Sequence, residues 1–444
     1  MSEELPQQEF GFDAWAEARV KAKGSPKKGK KGTGSKKELN EELTPEVHED
    51  HDPMRDGQGP LRSMMDVNYL EYASYVICNR AIPAMEDGLK PVQRRILWSL
   101  HETDDGRFTK VANIVGHSMQ YHPHGDASIA DALVNLTNKR YLIEGQGNFG
   151  NIFTGDRAAA SRYIECRLTP LARNEIFNDD LTEFVPNYDG RKREPVTLPS
   201  KLPLVLMLGA EGIAVGMSTR VLSHNFPELI EAQIAILQKK PWSVLPDFIQ
   251  GGLMDVSEYN DGNGKVRLRA RLDSSQSGRL FIREVPYGTT TESLVSSVED
   301  AVRKKKVPVR AINDFTSEKV EIELVLSPGT KPEQAIKALY AFTNCETAVT
   351  GRVVVIRKNR PVDSTVSEIL RENTAQLKEV LRLELELKKK NLLDSLHNKT
   401  LVQIFVEERI YKRIEKCKSA EAVRTAILKG FEPFKDKLIR EIVP

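Results

Sequence analysis

No stretch of this sequence stays apolar for the roughly 18 residues that a membrane helix requires. No secretory leader opens it either, because Glu3, Glu4 and Glu9 stand where an apolar core would have to be. Cysteine is scarce. The four thiols (Cys78, Cys166, Cys345 and Cys417) lie far apart, and none forms a CxxC pair. That excludes a disulfide framework and a zinc ribbon, and reads as reduced, mostly packed thiols of a cytoplasmic protein. An excess of one charge is also missing: 65 Lys and Arg stand against 63 Asp and Glu, a net +2. Composition therefore does not announce a nucleic-acid binder. Gly145–Gly150 has GxGxxG spacing but opens no predicted helix, and Gly24–Lys30 has GxxxxGK spacing without the Ser or Thr that should follow, so neither reads as a nucleotide loop, and no dense carboxylate cluster offers a metal site.

What is present is a long chain of several parts. At 444 residues, 40 % of them hydrophobic and 29 % charged, it has room for two or three packed domains. Residues 1–57 form a tail, with eight lysines between Lys21 and Lys37 and seven acids between Glu38 and Asp52. Such a segment buries too little apolar surface to order itself, though its lysines can add non-specific phosphate contacts.

Packed protein begins near Gly59, and the pattern divides it into 58–185, 186–362 and 363–444. In the first part the spacing predicts a helix over 65–79, with Met65, Tyr69, Tyr72 and Val76 on one face. A second helix follows from Pro91 through His101, a third over about 110–117, and a fourth, N-capped by Asp126, to about 137. Extended Tyr141-Leu142-Ile143 comes next, a sequence of elements compatible with a winged-helix module. In the second part, strand alternation at Val266–Ala270 and Leu280–Val285, a helix at Leu294–Val302, a strand at Val320–Leu324, a helix at Ala335–Phe342 and a strand at Val353–Ile356 give the order ββαβαβ of an α+β domain. In the third, Thr365-x-x-Glu368 is a capping box opening about thirty helical residues, an exposed arm that breaks into shorter helices after His397.

The chemistry concentrates in Glu144–Arg167, EGQGNFGNIFTGDRAAASRYIECR. A phenol ionises near ~10 and is a weak nucleophile at neutral pH. An adjacent guanidinium, as in Arg162-Tyr163, favours the phenolate and stabilises charge on a phosphate. By itself an Arg-Tyr pair is a poor signal, since a packed tyrosine is far commoner than a catalytic one. In the same way Ile213 alone would be core, Arg94 and Arg95 would lie on a solvated helix face, and His122-Pro123-His124 would be a helix-entry turn.

Six ordered blocks change that weighing. The run Tyr69–Trp98, YLEYASYVICNRAIPAMEDGLKPVQRRILW, resembles the start of the A subunit of bacterial type IIA topoisomerases, the family of DNA gyrase and topoisomerase IV. The resemblance continues through Tyr121–Asp126, Gly145–Gly150, Ala158–Tyr163, Asn187–Gly190 and Gly212–Met217. It implies an α+β multidomain breakage-reunion fold, with a winged-helix DNA-binding module, an α+β tower and a long-helix coiled-coil arm with part of a dimerisation gate. It also implies an ATP-dependent type II topoisomerase that cuts duplex DNA through a 5′-phosphotyrosine on Tyr163, supported by Arg162. Arg80, Arg95, His122 and His124 match positions that orient the scissile phosphate or stabilise the transition state. Lys90 and Arg94 match positions near the DNA backbone, and Ile213 matches an apolar wedge that enters a base step. Implied partners are duplex DNA, a second copy of the chain and a B-type ATPase subunit, in an A2B2 assembly at the nucleoid with no membrane. Mg2+ and ATP would be bound mainly by that B subunit.

The sequence departs from the family in three places. Gln93 stands where histidine is common, with little effect on cleavage expected. Ala127 stands where serine is common, with Asp131 four residues on, at the two positions that anchor quinolone drugs. The returning arm helix and the C-terminal propeller are not in the sequence, which implies either a fragment or an abbreviated lower gate. The ferredoxin-like order of the middle region inclines the reading to a topoisomerase IV-like subunit, with gyrase the alternative. The competing classes are a non-catalytic DNA-binding scaffold and a winged-helix regulator.

Overall fold

The computed structural model describes residues 62, 64–317, 319–415, 417, 419–438 and 440. The charged tail 1–57, and what was expected of it, lies outside them. The described chain opens on a helical run. Wide π-type turns over Met64–Tyr69 lead into helix α1, Leu70–Val76, and wide turns return over Ile77–Ala81. The expected single apolar face does not survive these turns. Val76 is buried, whereas Met65, Tyr69 and Tyr72 are exposed, because an i→i+5 turn rotates side chains out of the 3.6-residue register.

Helix α2, Pro91–Glu102, starts where Pro91 fixes a helical φ and the Gln93 side chain accepts a hydrogen bond from the Lys90 amide at 2.9 Å. Ile96, Leu97 and Leu100 face the core. Strand β1, Thr109–Lys110, precedes helices α3, Val111–Ser118, and α4, Asp126–Asn138. Asp126 is not the N-cap. Gly125 takes that place without a side-chain bond, and the Ser128 hydroxyl donates to the Gly125 carbonyl at 2.7 Å. Strands β2, Ile143–Gln146, and β3, Glu165–Leu168, complete an antiparallel sheet of order β1-β3-β2, with Thr109 opposite Cys166 and Ile143 opposite Leu168. Helix α5, Pro170–Glu175, and the ladder of β4, Phe184–Pro186, with β5, Arg193–Pro195, follow. Helix α6, Leu204–Leu208, is buried at every position and runs into the hairpin of β6, Ala210–Ile213, and β7, Ser218–Val221, then helix α7, Phe226–Leu237.

The middle region is richer in strands than the sequence suggested. Its order is β8 (Leu253–Glu258), β9 (Lys265–Arg269), β10 (Arg271–Asp273), β11 (Arg279–Glu284), α8 (Thr291–Arg303), β12 (Val309–Asp314), β13 (Ile322–Leu326), α9 (Pro332–Phe342) and β14 (Glu346–Thr350). These build two antiparallel sheets, β10-β11-β13-β12 and β14-β9-β8. The strand expected over Val266–Ala270 lies in the second of them, as β9. It breaks at Ala270, whose amide donates to the Cys345 carbonyl at 2.8 Å, and resumes as β10. Leu280, Ile282, Ile322 and Leu324 meet Leu294 and Val298 of α8 and Leu339 of α9 in a core separate from that of the first helices.

Strands β15, Val354–Arg357, and β16, Arg360–Asp363, lead into α10, Val366–Glu407, 42 residues long. The capping box forms as expected, with the Glu368 amide donating to Thr365 Oγ1 at 3.2 Å and the Thr365 amide to Glu368 Oε2 at 2.9 Å. The helix does not break after His397. No Gly or Pro intervenes before Glu407, so nothing stops the hydrogen-bond ladder. Short helices α11, Tyr411–Ile414, and α12, Ala420–Phe431, fold back on its end through Ile404, Ile410 and Phe431. Among the described residues no helix is long and apolar enough to cross a membrane.

Candidate functional site

Tyr163 stands between two backbone anchors. The Ser161 carbonyl accepts from the Ala112 amide at 3.1 Å, and the Ile164 carbonyl from the Val111 amide at 3.0 Å, both in the first turn of α3. Ile164 is buried, while Tyr163 is 63 % exposed. The approach to this turn relies on Gly150, at φ +82°, where a side chain would meet the Asp156 carbonyl oxygen at 2.5 Å. Beside the phenol, the Arg162 guanidinium carbon lies 4.6 Å from the ring centroid. Lys110 Nζ reaches the Tyr163 carbonyl at 3.4 Å and pairs with Glu165 at 2.8 Å.

A second constellation gathers at the other end of α3. The Tyr121 and His122 amides both donate to the carbonyl of Ser118, the last residue of that helix. A helix of eight residues is about 12 Å long, which sets the scale between the two groups. Arg95 grips Glu194 through Nε at 2.6 Å and Nη2 at 2.9 Å, and its Nη1 meets His122 Nδ1 at 3.0 Å. The His122 and His124 rings stand edge to face, centroids 4.6 Å apart. His124 Nε2 lies 2.9 Å from the Tyr75 hydroxyl. Burial, then the charge of Arg95, the neighbouring His124 and the charge of Arg80, pull the His122 pKa down to about 4. Burial, Arg80 and Arg95 lower that of His124. Both rings are therefore neutral at neutral pH.

The hairpin of β6 and β7 carries Ile213, 82 % exposed. Gly212 lets it sit against the turn after α1, since a Cβ there would meet the Ala81 carbonyl oxygen at 2.0 Å. Ala81 follows Arg80 directly, so the wedge candidate and Arg80 share one anchor. Lys90 Nζ donates to the Glu211 carbonyl of the same hairpin at 2.6 Å. Burial lowers the Lys90 pKa, with Glu211 opposing.

Arg94 and Arg95 do not lie on a solvated face. Arg94 is 8 % exposed and holds Asp87 through Nε at 2.5 Å and Nη2 at 2.9 Å, so it is built into the fold. Ala127 and Asp131 lie one turn apart on α4, both exposed. Sequence reasoning missed Tyr75 and Glu194. Glu194 carries no local mark, because only folding brings it to Arg95, 99 residues away. Tyr75 sat inside a recognisable block, five residues before Arg80, without a signal of its own. Among the described residues no group of three or more His, Cys, Asp or Glu could hold a metal ion.

A family model described as the A subunit of DNA gyrase/topoisomerase IV matches residues 80–443. The chain belongs to that family. Every candidate residue named from the sequence falls inside the matched span, and Tyr75 lies just before it. The A subunit of DNA topoisomerase 4 from Borreliella burgdorferi is 47 % identical over 383 residues, covering 86 % of this chain and 61 % of that protein. The A subunit of DNA gyrase from Dehalogenimonas lykanthroporepellens is 36 % identical over 84 % of this chain and 50 % of that protein. The A subunit of DNA topoisomerase 4 from Caulobacter vibrioides is 37 % identical over 72 % of this chain and 46 % of that protein. The chain thus spans roughly half to three fifths of these family members.

Proposed function

We propose that this chain is the breakage-reunion part of a type II DNA topoisomerase, cutting duplex DNA through Tyr163 and resealing it. The observation that carries the reading is Tyr163 itself, exposed, beside Arg162 and held by α3, with Arg95 and two neutral histidines at that helix's other end. In the reaction the phenol oxygen forms a bond to phosphorus and the 3′ oxygen leaves with a proton, giving a 5′-phosphotyrosine and a 3′ hydroxyl. The reverse step re-forms the phosphodiester, so resealing needs no cofactor. Such chemistry depends on positioned cations and hydrogen-bond donors more than on covalent assistance. Arg80, His122 and His124 serve the phosphate, and Arg95 acts through His122, which it holds. Ile213 serves as the wedge, and Lys90 and Arg94 act through the hairpin and the helix that they hold.

The greater identity to a topoisomerase 4 relative than to a gyrase relative favours relaxation and decatenation over supercoiling. We read 58–185 as a winged-helix catalytic domain, 186–362 as a tower and 363–444 as a coiled-coil arm with part of a gate, working as a homodimer at the nucleoid. The family generally uses Mg2+ and ATP. The groups of the two constellations do not suit a divalent cation, because Glu165 is paired with Lys110 and Glu194 with Arg95, while the histidines are tied to Arg95 and Tyr75. Metal and nucleotide are then the business of a B-type partner in an A2B2 complex. At Ala127 and Asp131 we propose weakened quinolone action. Ala127→Ser should lower the drug dose that traps cleavage complexes, and an unchanged dose refutes it.

The deciding experiment is covalent trapping. The chain is mixed with a topoisomerase B subunit, magnesium and plasmid, then denatured. Protein linked to 5′ ends is expected, and Tyr163→Phe should abolish it. No adduct, or one that survives the substitution, would leave a DNA-binding scaffold in place of the enzyme.

A further inference from the structure

Two imidazoles stand side by side in this site, and each has one ring nitrogen already engaged. The partners differ in kind. Arginine has only N–H donors and no acceptor. The contact of Arg95 Nη1 with His122 Nδ1 at 3.0 Å therefore requires Nδ1 to accept, so the proton of neutral His122 sits on Nε2. His124 is engaged through its other nitrogen, Nε2, 2.9 Å from the Tyr75 hydroxyl. A neutral imidazole nitrogen is a stronger base than a phenol oxygen, so Tyr75 donates and Nε2 accepts. The proton of His124 then sits on Nδ1.

We propose that Arg95 and Tyr75 fix His122 and His124 as neutral, opposite tautomers, so that each presents one N–H donor to the phosphodiester. Tyr75 is a positioning residue for His124, as Arg95, itself oriented by the Glu194 carboxylate, is for His122. This rests on the reading that the site handles a DNA phosphate. The arrangement has a physical advantage. Protonating either ring would place a third positive charge beside Arg80 and Arg95. Two locked neutral rings supply directional donors without that repulsion, and the free donors are Nε2–H on one ring and Nδ1–H on its neighbour. Without Tyr75, nothing else among the described residues engages His124 Nε2, and the ring would relax to a mixture of tautomers.

The test uses the full chain with 15N-labelled histidine. Nitrogen shifts and two-bond 15N–1H couplings report the tautomer of each ring. The Nε2–H form is expected at His122 and the Nδ1–H form at His124. Tyr75→Phe should turn His124 toward Nε2–H and leave His122 unchanged. With the B subunit, magnesium and plasmid, it should also slow adduct formation about tenfold, the effect of one hydrogen bond of about 1.4 kcal/mol. Amide substitutions give an independent readout, since the Asn amide nitrogen falls near Nδ1 and that of Gln near Nε2. His124→Asn should retain more activity than His124→Gln, and His122→Gln more than His122→Asn. Nε2–H at His124 in the unsubstituted chain, no tautomer change or undiminished cleavage in Tyr75→Phe, or the same Asn/Gln order at both positions, overturns the proposal. An adduct surviving Tyr163→Phe would instead be a failure of the cleavage reading, because the spectra do not depend on it.

Discussion

Asp87 shows how a residue without chemistry of its own can hold a site together. Its carboxylate is fully buried. It takes two bonds from Arg94, a third from the Leu89 amide at 3.1 Å and a fourth from the Leu198 amide at 3.0 Å. Those four bonds tie the turn before α2 to a segment more than a hundred residues away. Asp87→Ala would strand the Arg94 guanidinium in the interior, a change that costs about 3–5 kcal/mol in comparable buried pairs. Urea unfolding should show a loss of that order, and a loss under about 1 kcal/mol would mean that the pair contributes little. At the same scale, His122 and His224 both have pKa values lowered by burial to about 4, against an ordinary 6.5. Between those values the unfolded chain takes up protons that the fold refuses. Stability should therefore be flat above about pH 6.5 and fall as pH drops toward 4. Urea midpoints across pH 8 to 4 check this, and His224→Asn should flatten the slope below pH 6.5. None of this was legible in the sequence. Arg94 read alone as a solvated helix residue and by resemblance as one near the DNA backbone, and Asp87 carried no mark, because both roles are created by contacts that only the fold makes.

The elements that could be read were those with chemical punctuation at their ends. Pro91, which has no amide to leave unpaired, and the Thr365-x-x-Glu368 box, whose side chains satisfy otherwise unpaired amides, mark helix starts, and both helices begin where they stand. Thr365→Ala should cost about 1 kcal/mol, the usual worth of such a cap, and be felt as fraying of the first turn of α10 in amide exchange. Strands without a continuous apolar face were lost. In β8 every residue but Val256 is exposed, and in β14 polar Thr and Glu surround two apolar residues, so neither shows period-two alternation. The hairpin of β6 and β7 could be anticipated only as two glycines around Ile213. Its seat depends on the absence of a Cβ at Gly212, facing the Ala81 carbonyl. Gly212→Ala should displace the hairpin and lower cleavage at least tenfold, while changing the urea midpoint far less than Asp87→Ala does. Equal losses of stability in the two variants would mean that the hairpin is simply part of the core.

Across the whole molecule the near-neutral balance of +2 has a consequence for the proposed DNA binding. Most cations near the candidate site are already committed. Arg95 serves Glu194, Arg94 serves Asp87, Lys110 serves Glu165 and Arg167 serves Glu144. Arg80, Arg157 and Arg162 make no ion pair with another described residue, and all three are exposed. Phosphate affinity must then rest on a few sorted side chains rather than on a general positive field. Each phosphate neutralised contributes about 0.9 to the slope of log affinity against log salt concentration. Arg80→Ala or Arg162→Ala should weaken duplex binding across sequences and reduce that slope by about 1 for each phosphate no longer neutralised. Arg94→Met, by contrast, should lower stability and leave the slope where it was, because a buried, paired guanidinium releases no counterion. Fluorescence anisotropy of a labelled duplex, titrated at several salt concentrations, separates the two cases. An unchanged slope in Arg80→Ala together with a reduced one in Arg94→Met would reverse the assignment of which arginine meets DNA and which one holds the fold.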